Sequence, residues 1–241
     1  MPPYRPAGKK AKETVFIRSQ VAELYPALSA RAARCFALGA QIESLYGAIL
    51  ITFLGANAKP AAAMYRSLQS LNAQSSVVQA AAEAVLNEQE LDLLAAITVL
   101  CNRAMKHRHR LAHWVWGSSQ SFPDAIVLID PQHLLEYEMR GSYFSPNEGR
   151  GLLAAFDKST CFVYDEKVLR EVVAELAEAE SFLAEFRMSV IPHIREKGEG
   201  FPGMPPLAER PALKRELQIL EARRQKKPLT PAPRPRKGRK A

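Results

Sequence analysis

Residues 88-EQELDLLAAITVLCNRAMKHRHRLAHWVWG-117 decide the fold class. Leu94, Ile97, Cys101 and Met105 recur at intervals of three and four, which draws one apolar stripe along an α-helix. Glu88, Glu90 and Asp92 gather near its start, the positive end of the helix dipole. Extending the stripe by three and four lands on Arg108 and then Ala112. A guanidinium at a position that the pattern gives to an apolar group is costly to desolvate unless it is paired. Arg108 therefore demands a carboxylate, a phosphate or an open cleft. Three of the five histidines, His107, His109 and His113, fall within seven residues and alternate with Arg108 and Arg110. Imidazole moves protons near neutral pH, and guanidinium grips phosphate with a planar fork of donors. The chemistry of the chain is concentrated here.

The rest of the sequence extends the helical reading. Cys35, Leu38, Ile42, Leu45, Ile49 and Phe53 mark a helix from Ser29, its expected N-cap, to a stop at Gly55 and Asn57. Pro60 suits the first turn of a second helix, with Met64, Leu68 and Leu71 as its face. A third is predicted over Ser76–Leu86 with Val78, Ala82 and Val85 aligned. Asp165 caps a long helix carrying Val168, Val172, Leu176, Phe182 and Phe186, which ends before Pro192. Between Gly117 and Asp165 the character changes. Ala125–Ile129 is a short β-rich run, and Leu134–Tyr137 and Cys161–Tyr164 are expected to pair with it, with a Gly/Ser/Asn/Pro loop over 141–151. The fold class is thus mainly α, a helical bundle with a small β-hairpin or sheet insertion at about 122–164.

Composition bounds the partners. The 241 residues, 47% hydrophobic, suffice for a sizeable core. The net charge of +8 belongs to the ends: residues 195–241 hold 14 Lys and Arg against 5 Asp and Glu, whereas 15–194 hold 15 against 19. Residues 1–24 read as a basic N-terminal arm and 193–241 as a basic, Pro-rich and largely disordered C-terminal tail, within which 211–227 has the pattern of a charged helix. Such a tail holds RNA through phosphate contacts and counterion release, or serves as a solubilising spacer. Cys35, Cys101 and Cys161 are odd in number and widely spaced, which argues against a disulfide framework. The N-terminus lacks the apolar segment of a signal peptide, and the longest apolar run, 47–56, is about half of a membrane span. A cytoplasmic protein with no membrane partner is expected.

Arg108-His109-x3-His113 resembles the R-x(4–6)-H motif of the HEPN superfamily, helical domains named for higher eukaryotes and prokaryotes nucleotide-binding. In that family Asn, Asp or His often follows the arginine, and the local RHRLAHWVWG is similar to the R-N-x-L-A-H-G-x-W form of many bacterial members. LGAQIESLYGAIL, from Leu38 to Leu50, resembles the family's opening helix, where a glutamate like Glu43 often appears. The resemblance spans roughly residues 29–117 plus the helix from Asp165. Trp114 departs from it by replacing the usual glycine after the histidine.

The resemblance implies an antiparallel HEPN-like bundle over 25–192, acting as a homodimer that cuts RNA without a metal or other cofactor. It implies His113 in proton transfer between the ribose 2′-hydroxyl and the leaving 5′-oxygen, Arg108 on the phosphate, and His109 orienting His113 or the substrate. Arg103, Arg110, Trp114 and Glu43 are the candidate substrate-binding residues, and a cognate inhibitor protein is left open as a partner. Each has a plainer reading beside it. Arginines and histidines at a helix end complement its dipole, and the two tryptophans, Trp114 and Trp116, either stack on bases or pack against the core. Glu43 either pairs with Arg108 or is a solvated helix residue. His109 and His113 share a helix face, as zinc ligands do, but no cysteine or carboxylate lies near in sequence to complete a set. Arg103 with His109 is a second, looser match to the motif. On a straight helix Arg108 and His113 lie about 140° apart, so they meet only through a bend, a helix end or a second subunit. The alternative from another class is a non-catalytic helical module that binds RNA or a protein.

Overall fold

The computed structural model describes residues 12–17, 20–55, 58–68, 71–139, 152–157, 160–191 and 206–226. Among the described residues, eight α-helices and the five strands of one sheet follow one another: β1 (Lys12–Ile17), α1 (Val21–Leu24), α2 (Pro26–Leu54), α3 (Ala58–Ser67), α4 (Leu71–Glu83), α5 (Glu88–His113), β2 (Val115–Ser119), β3 (Phe122–Ile129), α6 (Pro131–Met139), β4 (Leu152–Asp157), β5 (Cys161–Asp165), α7 (Glu166–Ser189) and α8 (Pro211–Lys226). The fold is mainly α with a small antiparallel sheet, as the sequence pattern predicts.

The central helices form where their caps and stripes place them. Asn87 opens α5 with a capping box: its side chain accepts from the Glu90 amide at 3.0 Å, and the Glu90 carboxylate accepts from the Asn87 amide at 3.0 Å. Leu94, Ile97, Cys101 and Met105 are all buried. We expect Asn87→Ala to lower the unfolding free energy by about 1 kcal/mol in urea denaturation, the typical worth of such a cap. The Asp165 carboxylate accepts from the Val168 amide at 2.7 Å to start α7, whose Val172, Leu176, Phe182 and Phe186 are buried against α2 and α5. Gly55 closes α2 at φ 54°, a left-handed conformation that glycine adopts without a Cβ penalty. At 29 residues α2 is also long and apolar enough to cross a membrane by length and composition, more so than the run read at 47–56. It packs along α7, α4, α3 and α5.

Several sequence expectations need correction. α2 starts at Pro26 rather than Ser29, because proline is favoured in the first helical turn; the Ser29 hydroxyl donates to the Ala22 carbonyl instead, at 2.9 Å. α3 buries Ala61 and Tyr65, while Met64 stands 70% exposed. α4 begins at Leu71, before the expected start at Ser76, and Val85 lies exposed beyond its end. Leu134–Tyr137 is not a strand but part of α6: Asp130 accepts from the Gln132 amide at 3.0 Å, and Pro131 supplies the fixed φ of a first turn.

The sheet is also larger than an insertion at 122–164. Its order is β4-β1-β2-β3-β5, with antiparallel neighbours throughout. β1 therefore takes residues 12–17 out of the expected basic arm and into the middle of the sheet, paired on both sides. Val15 is fully buried there with Val127, Ile129 and Cys161. Likewise α8 belongs to the folded body rather than to a disordered tail. Leu213 is fully buried in the main core, and α8 is tied to α5 by Arg103–Glu216 at 3.0 Å and by the paired bonds of Arg224 to Asp92. The expected loop over 141–151 and the last residues, 227–241, lie outside the described residues.

One consequence positions the site. α5 runs directly into β2, and β5 runs directly into α7, so the last turns of α5 stand against Phe162 and Tyr164 of β5 on one side and against α2 on another.

Candidate functional site

The basic side chains on the last two turns of α5 leave the helix on different sides. Arg108 lies along α2. Its aliphatic stem passes over Gly39, where a Cβ would stand 2.9 Å from the Arg108 Cγ and 3.3 Å from the Met105 sulfur. Its Nη2 reaches the Glu43 carboxylate at 3.8 Å, and its buried Nε has no hydrogen-bond partner among the described residues. Of the two readings left open for Glu43, the structure shows the contact with Arg108, but a loose one. Both side chains stay partly open, at 27% and 38% exposure.

His109 and His113 share an exposed face one turn apart, with ring centroids 4.6 Å apart. Partial desolvation, followed by the neighbouring His113, Arg108 and Arg110, holds His109 below the ordinary imidazole value. At neutral pH His109 is therefore a neutral hydrogen-bonding group. Because α5 is unbroken through His113, the 140° between Arg108 and His113 is not taken up by a bend, and the two residues face different directions. Within one chain the arginine and the histidine of the motif do not converge.

The other candidates are engaged with the protein. Arg110 sits over Phe162, 4.3 Å from the ring centroid, and 5.8 Å from the Trp114 ring. Trp114 caps α5, its amide donating to the Arg110 carbonyl at 2.9 Å, and packs on Phe162 at 5.2 Å. The Trp116 indole donates to the Leu111 carbonyl at 2.9 Å. Both tryptophans pack against the core, so the plainer reading fits them better than base stacking. Arg103 is spent on α8, where its carboxylate partner Glu216 is buried.

His107 is the residue that the motif-led reading passes over. It is 6% exposed, its Nδ1 lies 3.3 Å from the Tyr164 hydroxyl and its Nε2 lies 3.9 Å from Glu175. Burial, and then the positive Arg110, push its pKa down to about 4. It is therefore neutral at pH 7, and its approach to Glu175 is not an ion pair. Burial likewise raises the Tyr164 hydroxyl to about 12 against the opposing pull of Arg110. A signal for His107 exists in the sequence: Leu100, Ala104, His107 and Leu111 form a second line at helical spacing, and all four are buried.

Among the described residues no group of three or more His, Cys, Asp and Glu side chains gathers to hold a metal, and the His109–His113 pair has no third ligand. No family model, no curated protein and no solved structure matches this chain.

Proposed function

We propose that this protein is a metal-independent endoribonuclease of HEPN type, working in the cytoplasm as a homodimer whose sites combine Arg108 of one chain with His113 of the other. The observation that carries the reading is Arg108, a half-buried guanidinium held over Gly39 whose one carboxylate contact among the described residues is loose. The side chain is 27% exposed and its carboxylate contact is long, so a phosphate has room to meet the terminal Nη donors. The adjacent His109 and His113 supply the proton-transfer groups.

The reaction needs nothing further. The ribose 2′-oxygen attacks the neighbouring phosphorus as its proton passes to a base, and the bond from phosphorus to the 5′-oxygen breaks. That oxygen takes a proton, leaving a 2′,3′-cyclic phosphate and a 5′-hydroxyl. His113 serves the proton transfers, His109 orients it, and Arg108 stabilises the charge that develops on the phosphoryl oxygens. Three buried free thiols, Cys35, Cys101 and Cys161, suit a reducing compartment.

A second reading rests on the divergence of Arg108 and His113 along one unbroken helix. A chain that stays monomeric would be a non-catalytic module binding RNA or protein. Incubation of the purified protein with structured and unstructured RNA in EDTA separates the two. The enzyme yields fragments ending in 2′,3′-cyclic phosphate, and His113→Ala, with an unchanged circular dichroism spectrum, yields none. Binding without cleavage of any RNA tried selects the module. A truncation that tests the tail has to begin after Lys226, since deletion from residue 195 removes α8 and its buried Leu213.

A further inference from the structure

Beside Arg108, a groove of about 480 Å³ opens between α2, α3 and α4, within the size range of small-ligand sites. Its floor is the α2 face of Ala40, Ser44 and Ala48, whose short side chains leave a shallow surface on which a planar ring can lie. Its far wall is set by Tyr65, which packs over Gly47 where a Cβ would meet its ring at 3.0 Å and donates to the Glu43 carbonyl at 3.0 Å. Arg66 stands exposed on the rim.

Glu43 links groove and arginine: it lines the groove, and its carboxylate lies 3.8 Å from the Arg108 guanidinium. A carboxylate has two oxygens and about four lone-pair positions, and its one contact among the described residues, at this distance, leaves most of that capacity unused. Among the RNA bases, only guanine presents two adjacent donors on one edge, N1–H and the N2 amino group, which a carboxylate accepts side by side. Uracil offers one donor between two acceptors. Cytosine and adenine each offer an amino group beside an acceptor that would face the carboxylate oxygen.

We infer that this groove holds an unpaired guanine of the RNA strand, read by Glu43, while a phosphate of the same strand lies on Arg108. The inference rests on the RNA reading above and adds to it a base preference. The occupant is placed by charge: the anionic reader faces the base edge, and the cations Arg108 and Arg66 flank it for the backbone.

The test measures binding of the full chain to the 2′-O-methyl pentanucleotides UUGUU and UUUUU, which cannot be cleaved, by fluorescence anisotropy. UUGUU should bind about tenfold tighter, the discrimination typical of one bidentate base contact. Glu43→Gln, which loses one of the two acceptors, should bring the two affinities to parity. So should Ser44→Trp, which fills the groove from an exposed position without touching the carboxylate. Guanosine 5′-monophosphate, as a competitor, should displace UUGUU far less effectively than unlabelled UUGUU does, because it lacks the flanking phosphates.

Equal affinities in the wild-type protein, or a preference that survives both substitutions, overturn the groove and leave the RNA reading standing. Failure to bind either oligonucleotide overturns both. Displacement by the free nucleotide as effective as by UUGUU overturns the assignment to an RNA strand.

Discussion

Arg108→Ala and His113→Ala, each inactive alone by at least about 100-fold, should together recover about a quarter of wild-type cleavage when coexpressed in equal amounts and allowed to pair by two-fold symmetry. The expectation follows from α5. The helix is continuous from Glu88 to His113, so Arg108 points along α2 toward Glu43 while His113 points away beside His109. If one site draws its arginine from one chain and its histidine from the other, a mixed dimer carries one site with both residues lost and one site with both intact. Half of the dimers are mixed, and each has half of its sites working. If instead each site lies within one chain, every site in the mixture lacks one residue and nothing is recovered. The measurement is the initial rate on a fluorogenic RNA, with differently tagged chains so that mixed dimers can be isolated. Isolated mixed dimers should then show about half of the wild-type rate. A monomer by light scattering at high micromolar concentration, or a mixture as inactive as its components, removes the composite site.

The parts of this fold that can be read from the sequence are those whose information is local. α5 and α7 carry their own caps, Asn87 with Glu90 and Asp165, and stripes that need no other segment to be recognised. β1 is different. KETVFI is short, and its partners, Gly117 and Ser118 of β2 and Leu152–Asp157 of β4, lie about a hundred residues away or more. What makes it a strand is the burial of Val15 against Val127, Ile129 and Cys161, which no window of sequence around it contains. β2 is masked differently, because Val115 and Trp116 follow a helix without a break and read as its continuation. α8 is legible as a charged helix over 211–227, but nothing in that pattern shows that Leu213 and the pairs to Arg103 and Asp92 hold it on α5.

The site divides along the same line. Arg108 is visible because it interrupts an apolar stripe, and Glu43 is visible only as one carboxylate that could meet it. Gly39 could have been found too: a glycine inside a long helix costs about 1 kcal/mol relative to alanine, and it is retained here at the point where the Arg108 stem lies on the helix. His107 was overshadowed by the exposed pair His109 and His113, although its own position on the Leu100–Leu111 line is apolar. The helix pattern gives the direction in which each side chain leaves α5. It does not give what waits there, and Phe162, Tyr164 and Glu175 come from segments 50 residues or more further on.

His107 should make the protein acid-sensitive, by about 3 kcal/mol between pH 7 and pH 4, taken from the displacement of its pKa. In the fold it titrates near 4, depressed by burial and by Arg110, against an ordinary value of 6.5. The unfolded chain therefore binds the proton first, and stability rises with pH across this window. The contribution is fully present above the unfolded value and is lost as pH falls from about 6.5 toward 4. Glu166, held low by Arg31, loses stability in the same direction at lower pH, so the wild-type curve alone does not isolate the histidine. His107→Gln does. Glutamine keeps a hydrogen-bonding group within reach of the Tyr164 hydroxyl, which lies 3.3 Å from the native ring nitrogen, and it does not titrate. Urea denaturation at pH 7 and pH 4 should show the wild-type protein losing about 3 kcal/mol more than the variant. Equal losses would mean that His107 is solvated when protonated and that the last turns of α5 open more readily than their packing implies. The same variant separates two causes of any fall in cleavage in acid. A fall that His107→Gln removes comes from loosening of the α5–β5 contact, and a fall that it leaves in place comes from the groups that meet the RNA.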